Sequence, residues 1–216
     1  MQKHAISNIL RIDSSTQTEG SISRRLGDEV IRRLRQENPF AQVRQIDLAQ
    51  GASHIDATWV AANLTRAEER DAGARIRLAE SDAAIADLRA ADAVVVTAPI
   101  YNFSIPSTLK AWIDLVCRAG LTFRYTEAGP QGLLSDRPVY LAMASGGVPF
   151  GSAADFASTY LRQVFHFIGI DDVRLVGAEG VARGSDAAVQ TALAQLDAWL
   201  PHQPHHSEDR QHVHTR

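Results

Sequence analysis

Three stretches of this 216-residue sequence hold residue types that could do chemistry, and each follows an aliphatic run. The first, Asp13-Ser14-Ser15-Thr16-Gln17-Thr18-Glu19-Gly20-Ser21-Ile22-Ser23, is dense in hydroxyls and leads straight into a helix-like segment. Free backbone N–H groups and the positive end of a helix dipole would make Ser21-Ile22-Ser23 an anion site, with Ser15 among the added donors. The same hydroxyls could simply cap the helix and shape the turn. Neither G-x-G-x-x-G nor G-x-x-x-x-G-K-[ST] occurs, which argues against a dinucleotide fingerprint and a P-loop. The ligand this loop suits is therefore a monophosphate held without a lysine or Mg²⁺.

The second stretch, Pro99-Ile100-Tyr101-Asn102-Phe103-Ser104-Ile105-Pro106, is too apolar for an ordinary solvated connection. Prolines stiffen its ends, two aromatics suit a flat ring, and Asn102 with the backbone amides could hydrogen-bond the edge of a heterocycle. Packing against a neighbouring chain is the competing role. In the third, Ala144-Ser145-Gly146-Gly147-Val148-Pro149, two glycines allow a close backbone approach to a ligand, or merely a turn with positive φ.

Five runs must position these loops: residues 9–12, 43–48, 93–98, 139–144 and, more weakly, 173–178. The first, third and fourth are short and apolar, as in the middle of a parallel sheet, while the second and fifth alternate and suit edges. Amphipathic segments lie between them: a helix from Ser21, a long Ala-rich helix over 65–89 opened by a capping box at Thr65-Arg66-Ala67-Glu68, then helices over 107–119, 154–168 and 186–200. The expected fold class is α/β, a doubly wound five-stranded parallel sheet in three α/β/α layers, in one domain over residues 1–200. Ligands of such sheets sit beyond the carboxyl ends of the strands, where all three chemical loops fall. Residues 122–134 read as an extended arm with a Gly-Pro turn, placed to cover a site or a partner subunit. The His-rich tail, 201–216, has no usable periodicity and is expected to be disordered.

Composition excludes several classes. With 45% hydrophobic and 22% charged residues the chain is an ordinary globular one, able to bury roughly 70% of its unfolded surface. A formal net charge of −3 leaves nucleic-acid binding dependent on a local basic patch, and the arginines from Arg24 to Arg35 are interspersed with Asp28 and Glu29, as on a wet face. The lone Cys117 rules out an intrachain disulfide and, with no signal peptide visible, points to the cytoplasm. No apolar run approaches the ~18 residues of a membrane span. A hydrolytic triad of Ser145, His166 and an Asp lacks the G-x-S-x-G elbow. Cys117 reads as a core thiol, and His202, His205, His206, His212 and His214 hold no fixed metal geometry, so no metal site is expected.

Pro99-Ile100-Tyr101-Asn102-Phe103, Leu109-Lys110-Ala111-Trp112-Ile113-Asp114 and the run from Arg118 to Glu127, with Gly129-Pro130 and Gly132-Leu133, closely resemble the FMN-dependent NADH-azoreductase and quinone reductase family. Phe167-Ile168-Gly169-Ile170 and Ala178-Glu179-Gly180 fit as well, so the likeness spans about residues 9–200. It implies a flavodoxin-like fold, a homodimer, and tightly bound FMN near the dimer interface. Carried over by position, Ser15 and Ser21-Ile22-Ser23 match the phosphate loop, Ile100-Tyr101-Asn102-Phe103 after Pro99 the isoalloxazine loop, and Ala144-Ser145-Gly146-Gly147 the pyrimidine-edge loop. Two positions depart: residue 100 is often Met in that family, and Ser145 stands where many members carry Arg, which bears on substrate preference.

The resemblance implies hydride transfer from NADH through flavin N5 to a quinone or an aromatic azo compound, in alternating half-reactions at one pocket. The cofactor carries the chemistry, so no side chain is assigned as acid or base; Asn102 and Gly147 are the flavin-positioning candidates. A flavodoxin-type one-electron carrier is the alternative, although the modest net charge and the inserted arm fit it less well. A flavin-free phosphate-sensing domain is a third.

Overall fold

The computed structural model describes residues 5–200, so the expectations about the His-rich tail lie outside the described residues. The strands are β1 (Asn8–Asp13), β2 (Gln42–Asp47), β3 (Ala93–Pro99), β4 (Phe123–Thr126), β5 (Gly129–Gly132), β6 (Val139–Ser145) and β7 (Val173–Glu179). The helices are α1 (Ile22–Glu37), α2 (Ala57–Leu64), α3 (Ala72–Ala90), α4 (Ser107–Val116), α5 (Ser158–Phe167) and α6 (Ser185–Asp197). The main sheet has the order β2-β1-β3-β6-β7, and every adjacent pair is parallel. That is the order of the flavodoxin-like doubly wound sheet.

Burial explains the order. β3 and β6 are buried along almost their whole length, and within the five-stranded sheet β2 and β7, the runs expected at edges, keep the most exposure. Successive strand residues point to opposite faces, so each central strand feeds two cores. Leu10, Ile12, Val94, Val96, Leu141 and Met143 pack under α3, α4 and α5 with Leu88, Trp112 and Phe165. Ile9, Val95, Tyr140, Ala142 and Val176 pack under α1 and α6 with Leu26, Leu34 and Leu196. α1 lies so close to β3 that a Cβ on Gly27 would stand 2.4 Å from Thr97 Cγ2, which explains a glycine within a helix.

Several expected elements are corrected. The helix expected over 65–89 starts only at Ala72, and an unexpected helix, α2, precedes it at 57–64. Thr65 ends α2, giving both its N–H and its Oγ1 to the Ala61 carbonyl at 3.1 and 2.9 Å. Asp71 starts α3 by accepting the Ala74 N–H at 2.7 Å, and the expected capping-box acid Glu68 instead pairs with Arg66 at 2.8 Å. α4 stops at Val116 rather than 119, and α5 starts at Ser158 rather than 154. The arm is an antiparallel hairpin, but Gly129-Pro130 lies in its return strand and the turn is Glu127-Ala128. The return strand is pinned against the turn after α5, since a Cβ on Gly132 would sit 2.1 Å from the Gly169 nitrogen.

Candidate functional site

The three chemical loops meet at the carboxyl rim of β1, β3 and β6. Ser14 gives its N–H and its Oγ to the Thr97 carbonyl at 3.1 and 2.8 Å, fixing the first loop to the end of β3. Thr16 Oγ1 lies 3.1 Å from Tyr101 Oη, joining the first loop to the second. Ile100 N–H donates to the Ala144 carbonyl at 2.8 Å, joining the second loop to the third.

In the first loop Ser15, Ser21 and Ser23 are all buried. Ser21 caps α1, accepting from Arg24 N–H at 3.5 Å, and its Oγ is 3.2 Å from Ser23 Oγ. Capping and anion binding, alternatives in the sequence, are thus compatible: the cap is long and weak, and a cluster of hydroxyls stands at the positive end of a 16-residue helix. Behind the cluster lies a charged network that sequence reading missed. Arg24 forks onto Asp47 at the end of β2, at 2.9 and 2.7 Å, and Nη2 also donates to the Ser15 carbonyl at 2.9 Å. Asp13, fully buried, accepts from Arg11, Gln45 and Thr97, each at 2.7 Å, and stands 3.7 Å from Arg24. Its hydrogen bonds to Arg24, ahead of the opposing cost of burial, hold the Asp47 carboxyl below its ordinary value.

In the second loop Asn102 and Phe103 have φ of 48° and 72°. Tyr101 and Ser104 close the turn with reciprocal backbone hydrogen bonds of 2.9 and 3.0 Å. Two successive left-handed residues make a tight primed turn, and a bulky Phe there carries strain. The turn leaves Tyr101 39% and Phe103 56% exposed at the rim, where an ordinary core would have buried them. A cavity of about 920 Å³ opens beside it between α4 and α5, lined by Tyr101, Asn102, Lys110, Phe156, Tyr160 and others.

In the third loop Ser145 is buried, donating its hydroxyl to the Val148 carbonyl at 2.6 Å and accepting the Val148 N–H at 2.9 Å. A nucleophilic role is thereby closed to it, and His166 instead pairs with Asp171 at 2.5 Å on an exposed face. Nothing stands within 4 Å of where a Cβ on Gly146 or Gly147 would be, so their backbone is open to a ligand. Asp155, also missed in the sequence, closes the rest of the loop by accepting from the N–H groups of Gly151, Ala157 and Ser158 at 2.8–3.0 Å and from the Ser158 hydroxyl. Burial opposes its charge, but these donors outweigh it and hold the carboxyl below its ordinary value. Phe150 packs its ring on Gly177, and its N–H reaches Glu179 at 2.7 Å. Cys117, partly buried at the C-terminal end of α4, has its thiol pushed up to about 11 by desolvation, the state of an inert core thiol. Among the described residues no group of His, Cys, Asp or Glu could hold a metal, and no helix is long and apolar enough to cross a membrane.

A rim of this kind offers neutral donors at a helix start, an aromatic turn and an uncovered diglycine, a combination suited to a phosphorylated planar ligand. The chain belongs to the flavodoxin-like-fold family, which it matches over residues 7–200. It is 43% identical over 193 residues to the FMN-dependent NADH:quinone oxidoreductase 1 of Hahella chejuensis (strain KCTC 2396), covering 89% of this chain and 95% of that one. A relative of the same description from Jannaschia sp. (strain CCS1) is 44% identical over 193 residues, covering 89% and 98%. Among solved structures, the FMN-dependent NADH-azoreductase from Bacillus anthracis str. Ames Ancestor in complex with FMN superposes with a TM-score of 0.79 at 25% identity, covering 89% of this chain and 96% of that one.

Proposed function

We propose that this chain is an FMN-dependent NADH:quinone oxidoreductase that also reduces aromatic azo compounds. The observation that carries the reading is the meeting of three loops at one rim: buried hydroxyls at the start of α1, the left-handed Tyr101-to-Ser104 turn, and the uncovered Gly146-Gly147 backbone. Relatives and a solved structure described as FMN-dependent support it.

The residues fit the group in kind. Ser15, Ser21, Ile22 and Ser23 would hold the phosphate through hydroxyls and the free N–H groups of the helix start, with no lysine required. Pro99, Ile100, Tyr101, Asn102 and Phe103 would carry the ring on its apolar side. Ala144, Ser145, Gly146 and Gly147 would meet the pyrimidine edge, where backbone donors stabilise negative charge. Ser145 is neutral and has its hydroxyl turned inward to Val148, so position 145 brings no cation to this edge. When bound, FMN would supply the centre that takes a hydride from NADH and passes it, in a second half-reaction, to the quinone or azo compound. The protein binds, orients and keeps water from the ring, and no side chain serves as acid or base.

We further propose a cytosolic homodimer. The exposed aromatics Phe103, Tyr125 and Phe156 and the cavity beside the turn are surfaces a second copy would cover. The single cysteine fits a reducing compartment.

Anaerobic mixing of the yellow holoprotein with one equivalent of NADH tests the activity. Rapid bleaching of the flavin bands, reversed by a quinone, is expected. A protein that binds FMN yet bleaches only when a separate reductase is added would be a one-electron carrier instead.

A further inference from the structure

Arg24 sits on the first turn of α1, nine-tenths buried, behind the hydroxyl cluster. Its guanidinium is not a free positive charge, because Asp47 takes its two Nη groups and Asp13 lies 3.7 Å away. The second guanidinium nearby, Arg11, is also spent, on Asp13 and Asp28. Two cations thus face three carboxylates, and the wall behind the loop carries no surplus positive charge. What Arg24 does possess is shape: one planar fork grips the end of β2 and, through the same Nη2, the carbonyl of Ser15. A lysine has one ammonium, which could take the Nη2 contacts but not the Nη1 bond to Asp47 as well, so the planar two-point grip is lost.

We infer that Arg24 is the positioning residue of the phosphate loop: it ties the Ser15 backbone to Asp47 so that the Ser15, Ser21 and Ser23 donors converge, and it does not act as the counter-ion of the phosphate. The inference rests on the FMN reading above. It follows that the phosphate is selected by neutral, pre-placed donors and a helix dipole. Loss of the tie therefore disorders the part of the site that tells FMN from riboflavin, and reaches the ring-binding turn only through the exposed Thr16–Tyr101 hydroxyl contact.

The test is fluorescence titration of the full chain, stripped of flavin, with FMN and with riboflavin, at low and high salt. For the wild type, FMN is expected to bind at least tenfold tighter than riboflavin, with little change between salt concentrations. R24M and R24K are both expected to weaken FMN about tenfold while riboflavin affinity stays within about twofold. D47N, which keeps the arginine but loosens its anchor, should move FMN affinity in the same direction by less, and it provides the measurement if Arg24 variants do not fold. Recovery of wild-type FMN affinity in R24K, or a steep salt dependence in the wild type, would mean that Arg24 acts as charge and would overturn the inference. Equal losses for FMN and riboflavin would overturn it too, since the residue would then only be holding the fold. A wild type that binds no FMN overturns the FMN reading along with it, whereas tight FMN binding indifferent to both R24M and D47N removes the inference alone.

Discussion

Thr16 Oγ1 and Tyr101 Oη, 85 residues apart in the chain, stand 3.1 Å from each other across the rim of the sheet. Thr16 leaves β1 and Tyr101 leaves β3, so one hydroxyl pair ties the hydroxyl-rich loop to the aromatic turn. Both groups are on the exposed side, where a neutral hydrogen bond is worth ~0.5–1 kcal/mol. Thr16→Val and Tyr101→Phe should each raise the FMN dissociation rate about two- to fivefold, and the double variant should be no worse than either single one. Stopped-flow displacement of FMN measures this, and additive effects would show that the two hydroxyls act separately.

Ser21 and Ser23 are buried hydroxyls 3.2 Å apart at the start of α1. Replacing both with Ala should weaken FMN binding by ~1–3 kcal/mol if both donate to a charged phosphate. The existing cap is long, at 3.5 Å, so thermal stability should fall much less than FMN affinity does. Equilibrium titration beside a melting curve checks the pair of outcomes; unchanged affinity would return these serines to a purely capping role.

Phe103 holds φ at 72° while more than half exposed. Its ring contributes little to the core, and its backbone conformation costs a non-glycine residue ~1 kcal/mol. Phe103→Gly should therefore leave the melting temperature unchanged or higher while reducing FMN affinity and quinone turnover. A marked drop in stability would show that the side chain serves packing and not a ligand.

The helix that presents the hydroxyl cluster is itself held by charge. Hydrogen bonds from Arg32, then Arg33, hold the Glu29 carboxyl down to about 2 from an ordinary 4.5, against an opposing effect of burial. A folded value below the unfolded one stabilises fully above about pH 4.5, and this contribution is lost as pH falls towards about 2. Glu29→Gln should thus lower stability at neutral pH and flatten the acid limb of the stability profile in that window. Chemical denaturation at a series of pH values reads both, and an unchanged acid slope would exclude Glu29 as a contributor.

Much of the scaffold could be read from the sequence because it depends on local pattern. The apolar runs of β1, β3 and β6 and the alternating runs of β2 and β7 specify central and edge positions, and the loops at Ser15–Ser23, Pro99–Phe103 and Ala144–Gly147 do converge. The late start of α3 was hidden by an Ala-rich composition that favours helix throughout, and α2 went unread although Asp56, which accepts the Trp59 N–H at 2.8 Å, was a readable cap. Arg24 and Asp155 were not legible for a different reason. Arg24 lies among helix arginines that look solvated, and its partner Asp47 is 23 residues away on another strand. Asp155 sits where a helix was expected to run, and its role depends on the loop folding back onto it.

The most direct test of the whole account is a crystal structure of the protein grown with FMN. The phosphate is expected at Ser15, Ser21 and Ser23, and the ring between the Tyr101-to-Phe103 turn and Gly146-Gly147. Flavin bound elsewhere on the molecule, or a rim left empty at saturating FMN, would contradict it.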